Sequence, residues 1–157
     1  MGKEVRLPEV LFLSGGIASG KRTQLAMLKE KYGFTTMDCS EVLKKAAETD
    51  EKVKADMAAG NLVSSITVVD KLIEEMDKTE AEVYVISGFP KSQDNLLIFE
   101  QKTNNMVHVK AFFNFECSEE TMLKRLTARA AAGDNVEAFK TRYANFKKST
   151  APLCDTF

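Results

Sequence analysis

Val10-Leu11-Phe12-Leu13-Ser14-Gly15-Gly16-Ile17-Ala18-Ser19-Gly20-Lys21-Arg22-Thr23-Gln24 is the stretch on which the fold turns. Its opening apolar run, closed by two glycines, predicts a strand buried on both faces, as in a parallel sheet. A helix is predicted from Lys21 to about Lys31, with Leu25 and Leu28 on one face and Gly33 just past its end. Between strand and helix, Gly15, Gly16 and Gly20 permit backbone geometry that a Cβ would resist. The loop's N–H groups, those of Ala18 and Ser19 among them, can then turn inward around an anion. The helix start adds partial positive charge at the same spot. Lys21 can reach the outer phosphates of a polyphosphate, and the Thr23 hydroxyl can meet Mg²⁺ directly or through water. The plainer alternative is a glycine-rich turn with a solvated lysine; strand, spacing, lysine and helix together argue against it.

Outward from this loop, strand and helix patterns alternate. Phe34 to Met37, Val83 to Ile86 and Val107 to Phe115 read as strands. Ser40 to Glu48 and Glu51 to Ala59 read as short helices, the second stopped by Gly60. Ser64 or Ser65 caps a helix with Val68, Val69, Leu72, Ile73 and Met76 on one stripe. Leu96, Leu97 and Phe99 mark another helix, and Ser118 caps one carrying Met122, Leu123 and Leu126. After a junction at Ala130-Ala131-Ala132-Gly133, Asp134 or Asn135 caps a last helix with Val136, Phe139, Tyr143 and Phe146 at i, i+3, i+7 and i+10. The pattern implies an α/β fold of the P-loop type, a parallel sheet wrapped by helices, in a single domain over 1–157.

The bulk numbers narrow the partners. With 157 residues, 22 basic and 23 acidic side chains and a net charge of −1, no global field favours nucleic acid or an anionic membrane. No apolar run approaches the ~18 residues of a membrane helix. Cys39, Cys117 and Cys154 are odd in number and not in metal-ligand spacing, which fits a reduced compartment. The cytosol is the default expectation. His108 opens a predicted strand, so a surface role is expected; Phe12, Phe89, Phe112, Phe113 and Phe115 are expected in the core. The lysine pairs at 44–45 and 147–148 read as solvated helix faces.

The strict phosphate-loop pattern places Ser or Thr directly after the lysine, and here Arg22 intervenes. That departure points to one family. Gly15, Gly16, Gly20, Lys21, Thr23 and Gln24 match the adenylate kinase loop Gly-Gly-x-Gly-x-Gly-Lys-Gly-Thr-Gln, with differences at Ile17, Ala18 and Arg22. The resemblance runs in register through Asp38-Cys39-Ser40-Glu41-Val42-Leu43-Lys44, Gly60-Asn61-Leu62-Val63, Ser87-Gly88-Phe89-Pro90-Lys91, Gln93, Glu120 to Leu126, and Asp134 to Arg142. It implies a nucleoside monophosphate kinase that moves the γ-phosphoryl group of Mg·ATP to AMP or a related monophosphate. It implies a monophosphate-binding segment at about 38–65 and a shortened lid at about 126–138. Lys21, Arg125, Arg129 and Arg142 would stabilise the moving charge. Cys39, Lys44, Val63, Gly88, Lys91 and Gln93 would hold the acceptor.

The departures gather at the acceptor side. Lys44 and Lys91 stand for two arginines, keeping the charge but losing the planar fork. Ser87 stands for an aspartate that would help hold the water shell of Mg²⁺, Cys39 for a threonine, and an arginine expected inside the lid is missing. The family would also continue past Phe157 with a strand and a helix, as expected of a fragment or of a reduced domain within a larger chain or assembly. Two readings follow: a kinase of weak activity, and a nucleotide-binding structural or regulatory module. A small-molecule kinase of another P-loop family fits Gln93 and Gly60-Leu62-Val63 less well.

Overall fold

The computed structural model describes residues 6–59, 61–129 and 135–157. Strand β1 (Glu9–Gly15) leads into helix α1 (Lys21–Tyr32), then β2 (Thr35–Asp38), α2 (Cys39–Ala46), α3 (Glu51–Ala58) and α4 (Ser65–Asp77). Strand β3 (Val83–Ser87), α5 (Gln93–Thr103), β4 (His108–Phe115), α6 (Glu119–Arg129) and α7 (Val136–Asn145) follow. A π turn, Phe146–Thr150, and a 3₁₀ turn, Ala151–Asp155, lead to the last residues. The four strands form one parallel sheet in the order β2-β3-β1-β4. This is the α/β parallel sheet with flanking helices that the alternating pattern implies.

Alternation along the two central strands shows why they are apolar throughout. Val10, Phe12, Tyr84 and Ile86 face one core with α4 and α5, built around Val69, Leu72, Phe89 and Phe99. Leu11, Leu13, Val83 and Val85 face the other core, under Leu25 and Leu28 of α1. A strand covered on both sides needs no polar face. In the first core Phe12, Phe89 and Phe99 pack edge-on or tilted with centroids 5.5–5.6 Å apart.

Most helix starts are closed by a neighbouring side chain. Asp38, Asp50, Ser64, Ser92 and Asn135 cap α2, α3, α4, α5 and α7, and Ser118 accepts from the Thr121 N–H at the start of α6. Among the described residues α1 alone has no side-chain cap and no acidic residue in its first turn. Of the two cap candidates for α7, Asn135 takes the role; Asp134 lies outside the described residues, as do the 130–133 junction and Gly60.

One core expectation fails. Phe113 is 50% exposed because β4 is an edge strand whose outward-facing residues lack a covering helix. Val136 is likewise 50% exposed: as the first residue of α7 it precedes the turn that Phe139 buries. Phe112, by contrast, is covered by the stacked ring of Phe157, 4.9 Å away. His108 opens the edge strand and is exposed, as expected.

The connections of β1 and β3 leave the sheet in opposite directions, β1 toward β2 and β3 toward β4. In open α/β sheets ligands bind beyond the carboxyl ends of such a strand pair. Here those ends are Gly15 and Ser87. Truncating the ring at the centre of the larger core, Phe99→Ala, is expected to cost ~3–5 kcal/mol in urea unfolding. Phe113→Ser on the open edge is expected to stay within about 0.5 kcal/mol of the unmodified chain.

Candidate functional site

Close approach dictates the glycine that ends β1. A Cβ on Gly15 would lie 2.5 Å from Ser19 Oγ and 3.0 Å from the Phe115 carbonyl. Gly20, at φ 101°, turns the chain into α1 in the left-handed region. Between them Ala18 also takes a left-handed φ of 58°, at a cost of order ~1 kcal/mol for a residue with a Cβ. That is the position where the family loop has glycine.

The Lys21 side chain folds back over this turn. Its Nζ donates to the carbonyls of Gly15 at 2.7 Å and Gly16 at 2.8 Å, and reaches Ser19 Oγ at 3.5 Å. Burial pushes its pKa down to about 8, helped by the nearby charges of Lys91, Arg22 and Arg129 and opposed by Asp38. The uncapped first turn of α1 directs its unpaired N–H groups to the same place. Arg125 of α6 closes one side, donating through Nη1 to the Ala18 carbonyl at 3.4 Å and to Cys117 Sγ at 3.7 Å. Thr23 sits exposed in the first turn of α1.

On the other side Arg22 bridges toward the end of β2 and the start of α2. Its Nε lies 3.4 Å from Asp38 Oδ2 and its Nη2 2.9 Å from Glu41 Oε1. Lys44 Nζ donates to that same Glu41 oxygen at 3.0 Å. Both contacts hold the Glu41 carboxyl below its usual range, the Lys44 hydrogen bond most strongly. Cys39 is buried beside Gly88, whose φ is 74°, and burial pushes its thiol up to about 11 while Lys91 pulls it back. It is therefore a neutral wall at ordinary pH rather than a nucleophile. Val63 packs partly buried against the larger core, whereas Leu62 is 78% exposed.

The structure thus brings Lys21, Arg22, Cys39, Gly88, Lys91, Arg125 and Arg129 around the carboxyl ends of β1, β2 and β3. Gln93 opens α5 just past Lys91, and its amide donates to Thr156 of the C-terminal segment. Arg142 occupies an exposed position on α7. Of the proposed lid segment, 130–134 lies outside the described residues.

Residues that the sequence reading passed over hold Lys91 in place. Asn95 Oδ1 accepts from the Lys91 N–H at 3.0 Å, Asn95 Nδ2 donates to Ser65 Oγ at 2.7 Å, and Thr150 Oγ1 donates to the Lys91 carbonyl at 2.9 Å. A polar residue three places after the Ser92 cap was the available signal for Asn95; nothing local flags Thr150. A cleft of about 220 Å³ also opens beside Gly16, walled by Met122, Tyr143 and Phe146. Asn114, in its wall, has a buried Oδ1 without a partner.

Whether these residues suit a magnesium ion can be read from their oxygens. Ser87 Oγ is buried and has no hydrogen-bond partner. Asp38 is committed: Oδ1 accepts from the N–H groups of Ser40 at 2.9 Å and Glu41 at 3.3 Å, while Oδ2 faces Arg22. Among the described residues no group of three or more His, Cys, Asp or Glu could hold a metal. Two neutral hydroxyls, Thr23 and Ser87, with no uncommitted carboxylate beside a cationic cluster, do not fit an ion held by protein charge.

A glycine-rich turn from a buried parallel strand into an uncapped helix, with a half-buried lysine above it, defines an α/β protein of the P-loop class. A family model for adenylate kinase matches residues 13–157. The chain is 32% identical over 154 residues to UMP-CMP kinase 3 of Oryza sativa subsp. japonica, covering 94% of this chain and 72% of that one. It is 30% identical over 169 residues to the UMP-CMP kinase of Bos taurus, covering 96% and 84%, and 29% identical over 160 residues to adenylate kinase 1 of Drosophila melanogaster, covering 94% and 69%. The chain belongs to the adenylate kinase family. Among its described residues no helix is long and apolar enough to cross a membrane.

The lowered Lys21 pKa sets a sign for pH dependence. A bound phosphate favours the charged ammonium and raises that pKa, so the complex holds more protons than the free chain above about pH 8. Above the phosphate's own second pKa of about 6, affinity for a phosphate ligand should hold to about pH 8 and fall beyond it. Calorimetry in buffers of different ionisation enthalpy should record proton uptake only in the alkaline range. Lys21→Met should abolish that uptake and weaken binding by roughly 10- to 100-fold, the equivalent of ~1.5–3 kcal/mol for a charged hydrogen bond.

Proposed function

We propose that this chain is a nucleoside monophosphate kinase that binds ATP at the glycine-rich loop and transfers its γ-phosphoryl group to AMP, UMP, CMP or a related monophosphate. The observation that carries the reading is the convergence on one sheet end of a half-buried lysine, an uncapped helix start and the acceptor-side Lys91. Transfer breaks the bond between the γ-phosphorus and the oxygen it shares with the β-phosphate. It forms a bond from that phosphorus to an oxygen of the acceptor monophosphate, giving ADP and a nucleoside diphosphate. Such transfer is catalysed chiefly by alignment and by positive charge around the moving group. Lys21 would leave the carbonyls of Gly15 and Gly16 for the terminal phosphates. Arg125 and Arg129, one helical turn apart on α6, would cover the donor, with Arg142 approaching from α7. The loop amides from Gly15 through Thr23 would cradle the donor phosphates.

On the acceptor side Lys91, clamped by Asn95 and Thr150, would meet the monophosphate, with Gly88, Cys39 and Val63 as walls. Lys44 would join it after leaving Glu41, and Gln93 after leaving Thr156. UMP and CMP enter as acceptors because relatives bear the name UMP-CMP kinase. A second reading, a nucleotide-binding domain without turnover, is favoured by one observation: Glu41 already occupies both Arg22 and Lys44.

The assay is ADP formation from ATP with AMP, UMP, CMP or GMP, run beside calorimetric ATP binding. ATP binding without turnover on any acceptor removes the kinase reading and leaves the second. If the kinase reading holds, Lys44→Arg with Lys91→Arg should lower the acceptor KM by roughly 30-fold, because each fork supplies ~1 kcal/mol of paired hydrogen bonding.

A further inference from the structure

Anion-holding and metal-holding chemistry have come apart at the ends of β1 and β3. Ser87 is registered with Leu13 on one side and Asp38 on the other. By alternation along β3 it shares the face of Val85, the face covered by α1. Its hydroxyl is thus enclosed under the start of α1, with no hydrogen-bond partner. Lys21, on the neighbouring loop, feels the positive charges of Lys91, Arg22 and Arg129, and the one carboxylate opposing them there, Asp38, which is registered with Ser87, is held by the α2 amides and Arg22.

A divalent cation entering this cluster would meet like charge and be met by two neutral hydroxyls. A metal-free polyphosphate would meet ammonium and guanidinium groups and the open N–H groups of α1, and it carries more negative charge than its magnesium complex. We infer that Ser87 is a specificity-determining residue that makes this loop a receptor for the metal-free polyphosphate, which binds at least as tightly as its magnesium complex. A carboxylate here would reverse that order by repelling the bare anion and attracting the ion's water shell. The inference rests on the loop being a phosphate seat, as proposed above, but not on phosphoryl transfer.

The test is calorimetry on the full chain with inorganic tripolyphosphate and with ATP, each in EDTA and in excess Mg²⁺. The unmodified chain should bind both ligands at least as tightly in EDTA. Ser87→Asp should lose roughly 10-fold in EDTA and recover with Mg²⁺, whereas Ser87→Ala should keep the original order. A rise of roughly 10-fold in the unmodified chain's affinity on adding Mg²⁺ overturns the inference, and this comparison needs no variant to fold. An unchanged metal preference in a folded Ser87→Asp chain overturns it as well. Failure of the unmodified chain to bind either ligand in either condition removes the phosphate seat and the inference together. Binding without transfer in the kinase assay bears only on the kinase reading.

Discussion

A buried ammonium group is stable only while its protons have acceptors, and the handover from β1 to α1 is built around that demand. Lys21 meets it by bonding the carbonyls of Gly15 and Gly16, the two residues that close the strand. Those carbonyls are available because β1 ends there: beyond Gly15 the ladder to β4 stops and the chain turns. The strand cannot shift to relax the arrangement, since Phe12 and Leu13 anchor it in opposite cores. Loop, lysine and helix start therefore form one electrostatic unit on a rigid mount. An anion can satisfy the same ammonium as well as the two carbonyls do.

The rest of the site is organised by how charge is shared around that unit. Asp38 ends β2, caps α2 and receives Arg22, so a single side chain ties the phosphate loop to the acceptor segment. Glu41 extends the tie by taking Arg22 and Lys44 on one oxygen. These are exposed contacts of small individual strength, open to displacement by a ligand phosphate. Lys91 differs, because Asn95 and Thr150 hold its backbone by hydrogen bonds from two separate parts of the chain. Lys91 thus has a firmly mounted backbone while Lys44 is tied through its side chain to Glu41, a difference that their common charge hides.

Legibility from sequence followed the range of the interactions concerned. The four strands and the run of helices were readable from apolar spacing and caps, with Ser64, Ser118 and Asn135 falling where short-range rules put them. Phe113 was misplaced because burial depends on what covers a residue, and β4 is an edge strand. At the site Lys21 and Gly20 were readable because their role is local. The partner of Gln93 was not, because Thr156 lies far along the chain.

The sequence by itself determined the phosphate loop, the alternation of strands and helices, and the kinship carried by the Gly-Phe-Pro segment. All three depend on residues close together in the chain, where spacing and backbone freedom decide. Only the tertiary structure decided that Asp38 is committed to α2 and Arg22, that Glu41 serves two cations, and that the Ser87 hydroxyl is enclosed without a partner. Those outcomes depend on which strand ends lie side by side. That adjacency, β2-β3-β1-β4, comes from packing both faces of a sheet at once and leaves no mark on any single segment.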